Sequence, residues 1–401
     1  MKVVIALGGN ALLKRGEALE ADVQRANVAH AAAAIATVAQ SHSVVVTHGN
    51  GPQVGLLALQ SESYHGVRPY PLDILGAQSE GMIGYLIDLE LENQLPKRQI
   101  VTLLTQIEVS PNDPAFKNPS KAIGPAFSEA EAKRLAKERG WSVAPDGPKW
   151  RRVVPSPEPI RVREIAAIRL LMAAGAIVVC AGGGGIPVIA SPSGAMHGAE
   201  AVIDKDLAAA LLAHQVGADA LLLLTDVDAA YVNWGTPRQQ AVRETMPDGL
   251  RKLAFTSGSM KPKIEAACRF VESGGKLAGI GRLEDAAAIL EGLRGTVVRP
   301  AGVSLDFLPE PAATAPSRPS SPAPQPPKPR TDPPPAPPAA PAKPRPASPT
   351  AAKPAPEPAA QPAARAETPG WAPFDLPPRP PIDLPDPELE SLQPKPRTPA
   401  K

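Results

Sequence analysis

Five lysines stand in settings unusual for surface charges: Lys117 and Lys121 in Phe116-Lys117-Asn118-Pro119-Ser120-Lys121, Lys205 in Val202-Ile203-Asp204-Lys205-Asp206, and Lys261 and Lys263 in Gly258-Ser259-Met260-Lys261-Pro262-Lys263. A single lysine is ordinarily a solvated cation, and Asp204 and Asp206 would ordinarily be first-turn acids of a helix. Held together at helix starts beside glycines, such lysines suit phosphoryl transfer, which needs positive charge against oxygens gaining negative charge rather than a covalent nucleophile. Three glycine turns offer the other half of an anion site: Gly8-Gly9-Asn10, Gly49-Asn50-Gly51 and Gly182-Gly183-Gly184-Gly185. Each alone could be merely a tight turn. Three of them after strands of one sheet would converge where backbone N–H groups can approach a phosphate or carboxylate closely. None is a familiar nucleotide signature. There is no G-x-x-x-x-G-K-[ST], the run from Gly182 to Pro187 does not satisfy G-x-G-x-x-G, and the H-R-D and D-F-G strings of protein kinases are absent.

The elements that must position these residues are legible as an alternation. Short β-branched runs (Val3 to Leu7, Val44 to Thr47, Ile100 to Leu104, Ala176 to Cys180, Ala220 to Leu224, Leu277 to Ile280, Thr296 to Arg299) are interleaved with Ala/Leu-rich stretches of helical period. Those stretches are Ala21 to Gln40, Leu72 to Leu95, Ile165 to Ala174, Asp204 to Val216, Lys263 to Ser273 and Leu283 to Leu290. The pattern predicts an α/β fold, a three-layer sandwich with a largely parallel sheet whose strands are apolar on both faces. One segment breaks the rhythm, 113 to 159, with eight prolines. Ser128-Glu129-Ala130-Glu131 reads as a capping-box start of a charged helix ending at Gly140, and Trp141 to Val154 as a hairpin turning at Asp146-Gly147. It is expected to be a small inserted lid subdomain.

Composition divides the chain again. Of its 52 prolines, 33 lie from Pro309 onward, where large apolar side chains are scarce until Trp371-Ala372-Pro373-Phe374. A segment so composed cannot offset its ordering entropy by burial, so 305–401 is expected to be a disordered Pro/Ala-rich tail, with Trp371 to Leu376 as the anchor if it docks another protein. Residues 1–304 form the expected folded domain. Up to residue 308 the chain holds 31 Lys+Arg against 31 Asp+Glu, and this neutrality argues against nucleic-acid binding. The apolar run after Lys2 is too short for a secretory leader and no stretch approaches a membrane span, so a cytoplasmic, membrane-free protein is expected. Cys180 and Cys268, in apolar surroundings without metal or redox spacing, read as buried free thiols.

From Met1 to about Pro300 the sequence resembles the carbamate kinase family of the amino acid kinase fold. The resemblance rests on Ile5-Ala6-Leu7-Gly8-Gly9-Asn10-Ala11, Thr47-His48-Gly49-Asn50-Gly51-Pro52-Gln53-Val54-Gly55, Gln78-Ser79-Glu80-Gly81-Met82-Ile83-Gly84-Tyr85, Asp113 to Pro119, Trp150-Arg151-Arg152-Val153-Val154-Pro155-Ser156-Pro157, Gly182 to Val188, Glu200 to Asp206 and Gly258-Ser259-Met260. It implies reversible phosphoryl transfer between ATP and carbamate, giving ADP and carbamoyl phosphate, with Mg2+ and without a set of protein metal ligands. By the same resemblance Lys205 and Lys263 hold the phosphoryl group in flight, Asp206 orients them, and Lys121 reaches the substrate as the lid closes. Gly8, Gly9 and Asn10 hold nucleotide phosphates, with Gly183, Gly184, Gly258 and Met260 also on the nucleotide side. Thr225, Asp226, Val227 and Tyr231 border the adenosine, while Gly49, Asn50 and Gly51 seat carbamate. A homodimer is implied as well.

Two features depart from the family pattern: Ala122 follows Lys121 where the family often has proline, and the Pro-rich tail is not a family feature. His48 adjoins the substrate turn and is expected to support it by hydrogen bonding, since the carbamate oxygen is already anionic and requires no general base. A related kinase acting on another small acid, or a non-catalytic interaction protein on a degenerate kinase core, are the competing readings. The sequence leaves the physiological direction of the reaction open.

Overall fold

Strands apolar on both sides require cover on both sides, and the computed structural model shows how it is provided. It describes residues 1–14, 16–255 and 260–308, without the side chain of Asn10. Six parallel strands make the middle of the main sheet, in the order Leu277–Arg282, Ala220–Thr225, Lys2–Leu7, Ser43–His48, Ile177–Cys180 and Ile100–Leu103. Beyond Leu277–Arg282 the sheet turns mixed, through Thr296–Val298, Gln240–Thr245 and Tyr231–Val232. Leu305–Phe307 pairs antiparallel with Gln240–Thr245, so the sheet runs on past residue 304. The Pro-rich segment from residue 309, expected to be disordered, lies outside the described residues.

Alternation along the first strand shows the three layers. Val3, Ile5 and Leu7 pack with Val28, Ala31 and Ile35 of helix Ala21–Ala39 and with Ile83, Ile87 and Leu91 of helix Leu72–Gln94. Val4 and Ala6 belong to the opposite cluster, with Ala209, Leu212 and Ala213 of helix Lys205–Val216 and Ala266, Phe270 and Val271 of helix Met260–Glu272. The expected sandwich with its largely parallel sheet is thus present. Among the described residues no helix is long and apolar enough to cross a membrane.

Two smaller sheets flank the sandwich. Lys121–Phe127, Lys149–Val154 and Ser142–Asp146 form an antiparallel sheet beside helix Glu129–Arg139. Ser128 accepts a hydrogen bond from the Glu131 amide at 3.3 Å, and Gly140 closes the helix in the left-handed region, φ 68°, where glycine is unstrained. The hairpin read from the sequence is found, and of the capping box the Ser128 half is formed. The other small sheet, Met196–Gly198, Ile186–Ala190, Gln106–Val109 and Pro159–Val162, was not anticipated, because its strands are short and two carry proline. Helix Gly51–Ser63 is likewise absent from the sequence reading, which passed straight from the second strand to Leu72.

That helix joins the inserted sheet to the sandwich. A Cβ on Gly55 would lie 1.9 Å from Cα of Gly124, so the two backbones meet at glycine contact. At the far end Glu62 accepts from Arg139 at 2.6 Å, Trp141 Nε1 at 3.2 Å and Arg152 at 3.3 Å, and both guanidinium groups lie about 5 Å from the Trp141 ring centre. Gly55→Ala is therefore expected to cost about 1–3 kcal/mol by overpacking. Chemical denaturation checks this; a loss under about 0.5 kcal/mol would mean the crossing is loose.

Candidate active site

Parallel strands all end at the same sheet edge, and the chain places its unusual residues there: Gly8 follows Leu7, Gly49 follows His48, Gly182 lies just beyond Cys180, and Thr225 ends its strand. Helix Lys205–Val216 begins at this edge because the side chain of Asp204 caps it, accepting from the amides of Asp206 at 2.9 Å and Leu207 at 3.3 Å. Capping fixes the direction of the next two side chains. Nζ of Lys205 donates to Oδ1 of Asp206 at 2.5 Å, and Nζ of Lys263, from the first turn of helix Met260–Glu272, donates to Oδ2 at 3.1 Å. Lys121, from the inserted sheet, donates to the other oxygen of Asp204 at 2.6 Å. Three cations and two carboxylates thus share one corner, with an excess of positive charge.

Burial makes this corner electrostatically strong. Asp206 and Lys263 are almost wholly buried, whereas Lys121 is the most open of the three lysines. Burial alone would raise the Asp206 carboxyl, but Lys205 and Lys263 outweigh it and hold the group well below the usual carboxylate range. Burial pushes the Lys205 ammonium down, against the pull of Asp206. Lys117 and Lys261, equally suspect in the sequence, are exposed.

Two glycine turns come directly against the lysines. A Cβ on Gly49 would touch Cδ of Lys205 at 3.4 Å and the backbone of Gly9 at 3.5 Å, which puts Gly9, Gly49 and Lys205 around one point. The amides of Gly8 and Gly49 are engaged, by Leu224 O at 2.9 Å and Leu7 O at 3.2 Å. Those of Gly9, Gly51 and Gly183 make no hydrogen bond of the turn, loop or cap kind among the described residues. In the third turn Gly183, Gly184 and Gly185 all have positive φ, and a Cβ on Gly183 would lie 2.1 Å from the Asn50 amide. Asn50 is fixed in turn by donating to Ser79 Oγ at 2.8 Å.

Of the other described candidates, Thr225 ends its strand and Met260 opens the helix of Lys263. Thr225 donates to Asp226 at 3.1 Å, and Tyr231 donates to Asp228 at 2.9 Å and stacks edge-on against Trp234. Burial, aided by Asp228, pushes the Tyr231 hydroxyl up to about 12. Val227 is partly covered. Gly258 and the side chain of Asn10 lie outside the described residues. A cleft bounded by Ala11, Lys14, Asn27, Thr225, Asp226 and Arg282 opens beside them. Sequence reasoning missed Glu80, buried in mid-helix, which accepts from the Gly182 amide at 2.9 Å; burial pushes its carboxyl up to about 8. His48 donates from Nδ1 to its neighbour's carbonyl, Gly49 O, at 3.0 Å, the supporting bond expected of it, and burial pushes its imidazole down to about 4. Among the described residues no group of three or more His, Cys, Asp or Glu side chains could hold a metal.

A lysine corner joined to glycine turns at the carboxyl ends of parallel strands is a phosphoryl-binding arrangement. The model of the amino acid kinase family matches residues 1–280, and the chain belongs to that family. Within it the similarity runs to carbamate kinases. The carbamate kinase of Rhizobium meliloti (strain 1021) is 53% identical over 301 residues, covering 74% of this chain and 93% of the relative, and that of Pyrococcus horikoshii is 48% identical over 312 residues, covering 75% and 99%. The solved structure of carbamate kinase from Giardia lamblia bound to AMP-PNP superimposes with a TM-score of 0.68 at 39% identity, covering 74% of this chain and 98% of that one.

Removing Asp206 would leave Lys205 and Lys263 facing each other without their common anion. Asp206→Ala is expected to lose about 3–5 kcal/mol of stability. Because the native pKa is depressed, the wild-type contribution is complete above the unfolded carboxylate value and is lost as pH falls below it toward the native one. Denaturation of both proteins from pH 7 to pH 3 checks this: the difference between them should shrink only at the acid end.

Proposed function

We propose that the protein is a carbamate kinase, a phosphotransferase that moves a phosphoryl group reversibly between ATP and carbamate, giving ADP and carbamoyl phosphate. The observation that carries this reading is Asp206 bridging Lys205 and Lys263 beside Gly9 and Gly49. Amides of the Gly9 turn face the nucleotide phosphates, with the Gly183–Gly184 turn and Met260 beside them and Thr225, Asp226, Val227 and Tyr231 toward the adenosine. The turn Gly49-Asn50-Gly51, at the N-terminus of helix Gly51–Ser63, seats the small anionic acceptor. In the transition state the migrating group spreads negative charge over its equatorial oxygens, and Lys205 and Lys263 meet that charge with ammonium groups already aimed by Asp206, at no cost in reorganisation. No general base is needed, because the attacking oxygen is already an anion. Magnesium would be held by the nucleotide phosphates, since the carboxylates at the corner are taken by lysines and amides. When bound it neutralises phosphate charge.

The kinase domain in this reading runs from residue 1 through the strand Leu305–Phe307, with 113–159 as the lid that brings Lys121 to the corner and excludes water, in which carbamate and carbamoyl phosphate decompose. The protein acts in the cytoplasm as a homodimer. Supporting the dimer, helix Leu72–Gln94 exposes Ile74, Met82 and Tyr85 on one stripe, with Leu104 also exposed, at 39–55% of their surface.

ATP formation from ADP and carbamoyl phosphate tests the activity. Lys205→Ala should lower kcat about a hundredfold with little change in KM, since the lost contact acts on the migrating group. A variant keeping more than half of the wild-type kcat would remove Lys205 from the mechanism. Light scattering should give a dimer mass that Tyr85→Glu reduces to that of a monomer; a monomeric wild type at micromolar concentration would contradict the pairing.

A further inference from the structure

Asp204 divides its carboxylate between two elements. Oδ1 accepts from the amides of Asp206 at 2.9 Å and Leu207 at 3.3 Å, which caps helix Lys205–Val216, while Oδ2 accepts at 2.6 Å from Nζ of Lys121, a residue of the inserted sheet. A cap needs one acceptor oxygen, which an uncharged side chain supplies equally well, so capping does not account for a carboxylate here. The backbone of Lys121 is itself held against the segment that leads to Asp204. Lys121 lies opposite Val154 in its strand pair, the Val202 amide donates to Pro155 O at 2.9 Å, and Ile123, Val154 and Val202 pack in one buried cluster. The Lys121 side chain thus leaves a fixed base, and the ion pair sets where its ammonium ends. An ammonium has three N–H groups, and Asp204 takes one. The Lys121 side chain is 30% exposed, against 12% for Lys205 and 5% for Lys263, so it is the cation of the corner most open to an arriving anion.

We infer that Asp204 is the positioning residue for Lys121: its second oxygen holds the Lys121 ammonium at the corner of Lys205 and Lys263, so that three cations rather than two meet the migrating phosphoryl group. The inference rests on the carbamate kinase reading and deepens it. Both members of the pair act on the charges of the corner. At Asp206 burial is outweighed by Lys205 and Lys263, with Lys121 adding to them; at Lys205 burial is resisted by Asp206, with Asp204 adding to it. A lysine side chain left unpaired spreads among many rotamers, and the ion pair removes that spread ahead of the transition state instead of during it. Exposed ion pairs contribute little to folding, so loss of this one is expected to appear in the rate. Asp204→Asn separates the two duties. Its amide oxygen still accepts from Asp206 and Leu207, while its NH2 group meets Lys121 donor to donor.

The test is ATP formation from ADP and carbamoyl phosphate by the full chain, in a double-mutant cycle of Asp204→Asn, Lys121→Ala and the two together, with a denaturation midpoint for each. Asp204→Asn is expected to lower kcat about tenfold while KM changes less than about threefold. In the Lys121→Ala background it should cost no more than about a factor of two, because the group it aims is gone, whereas a defect of the helix cap would persist there. Wild-type kcat in either single variant, or the same tenfold loss with Lys121 already removed, overturns the inference. If Asp204→Asn does not fold, Asp204→Ser, which also caps without charge, takes its place; failure of both to fold would make the charge structural and overturn the inference as well. A wild type that forms no ATP would defeat the functional reading and the inference with it, while an active wild type matched by Asp204→Asn defeats the inference alone.

Discussion

One carboxylate between two buried ammonium groups governs this site. Asp206 offers one oxygen to Lys205 and the other to Lys263, from two different helices. Without it, two like charges in a low-dielectric corner would repel, and one would lose its proton or swing toward solvent. With it, an anion stands between the two lysines, and the net positive charge left over is available to an incoming phosphoryl group. The lysines are thus organised before the ligand arrives, the condition under which electrostatic stabilisation lowers a barrier rather than merely adding affinity.

The fold exists to bring three glycine turns to that corner. Parallel strands deliver Gly8, Gly49 and Gly182 to one edge, and close packing then excludes side chains from Gly8, Gly182 and Gly183, which lie against Leu224 O, His48 and Asn50. The Gly49-Asn50-Gly51 turn and the inserted sheet are also coupled, because helix Gly51–Ser63 begins at the one and is clamped to the other through Gly55, Gly124 and Glu62.

Much of this was legible in the sequence because the signals were local. Apolar runs gave the parallel strands, Ser128 and Gly140 gave the ends of the charged helix, and the setting of Lys205 between two aspartates marked it for attention. Spacing could not tell Lys263 from Lys261; burial does, since one faces Asp206 and the other solvent. Glu80, though part of the string Gln78 to Tyr85, was given no role, because an acid in mid-helix ordinarily marks a wet face, and nothing nearby in sequence shows that Gly182, a hundred residues on, closes over it. The Gly55–Gly124 crossing is hidden for the same reason. Asp204 was read as a helix-start charge, which it is, while its partnership with Lys121 depends on the insert folding back.

The central claim is that Lys205 and Lys263 work as one unit through Asp206. A double-mutant cycle on kcat/KM for ATP formation, using Lys205→Ala, Lys263→Ala and the double variant, tests it most directly. The account predicts that the double variant loses less than the sum of the single losses, by about 1–3 kcal/mol, because removing either lysine already disorganises the other. Losses that add within about 0.5 kcal/mol would show two independent cations and contradict the account.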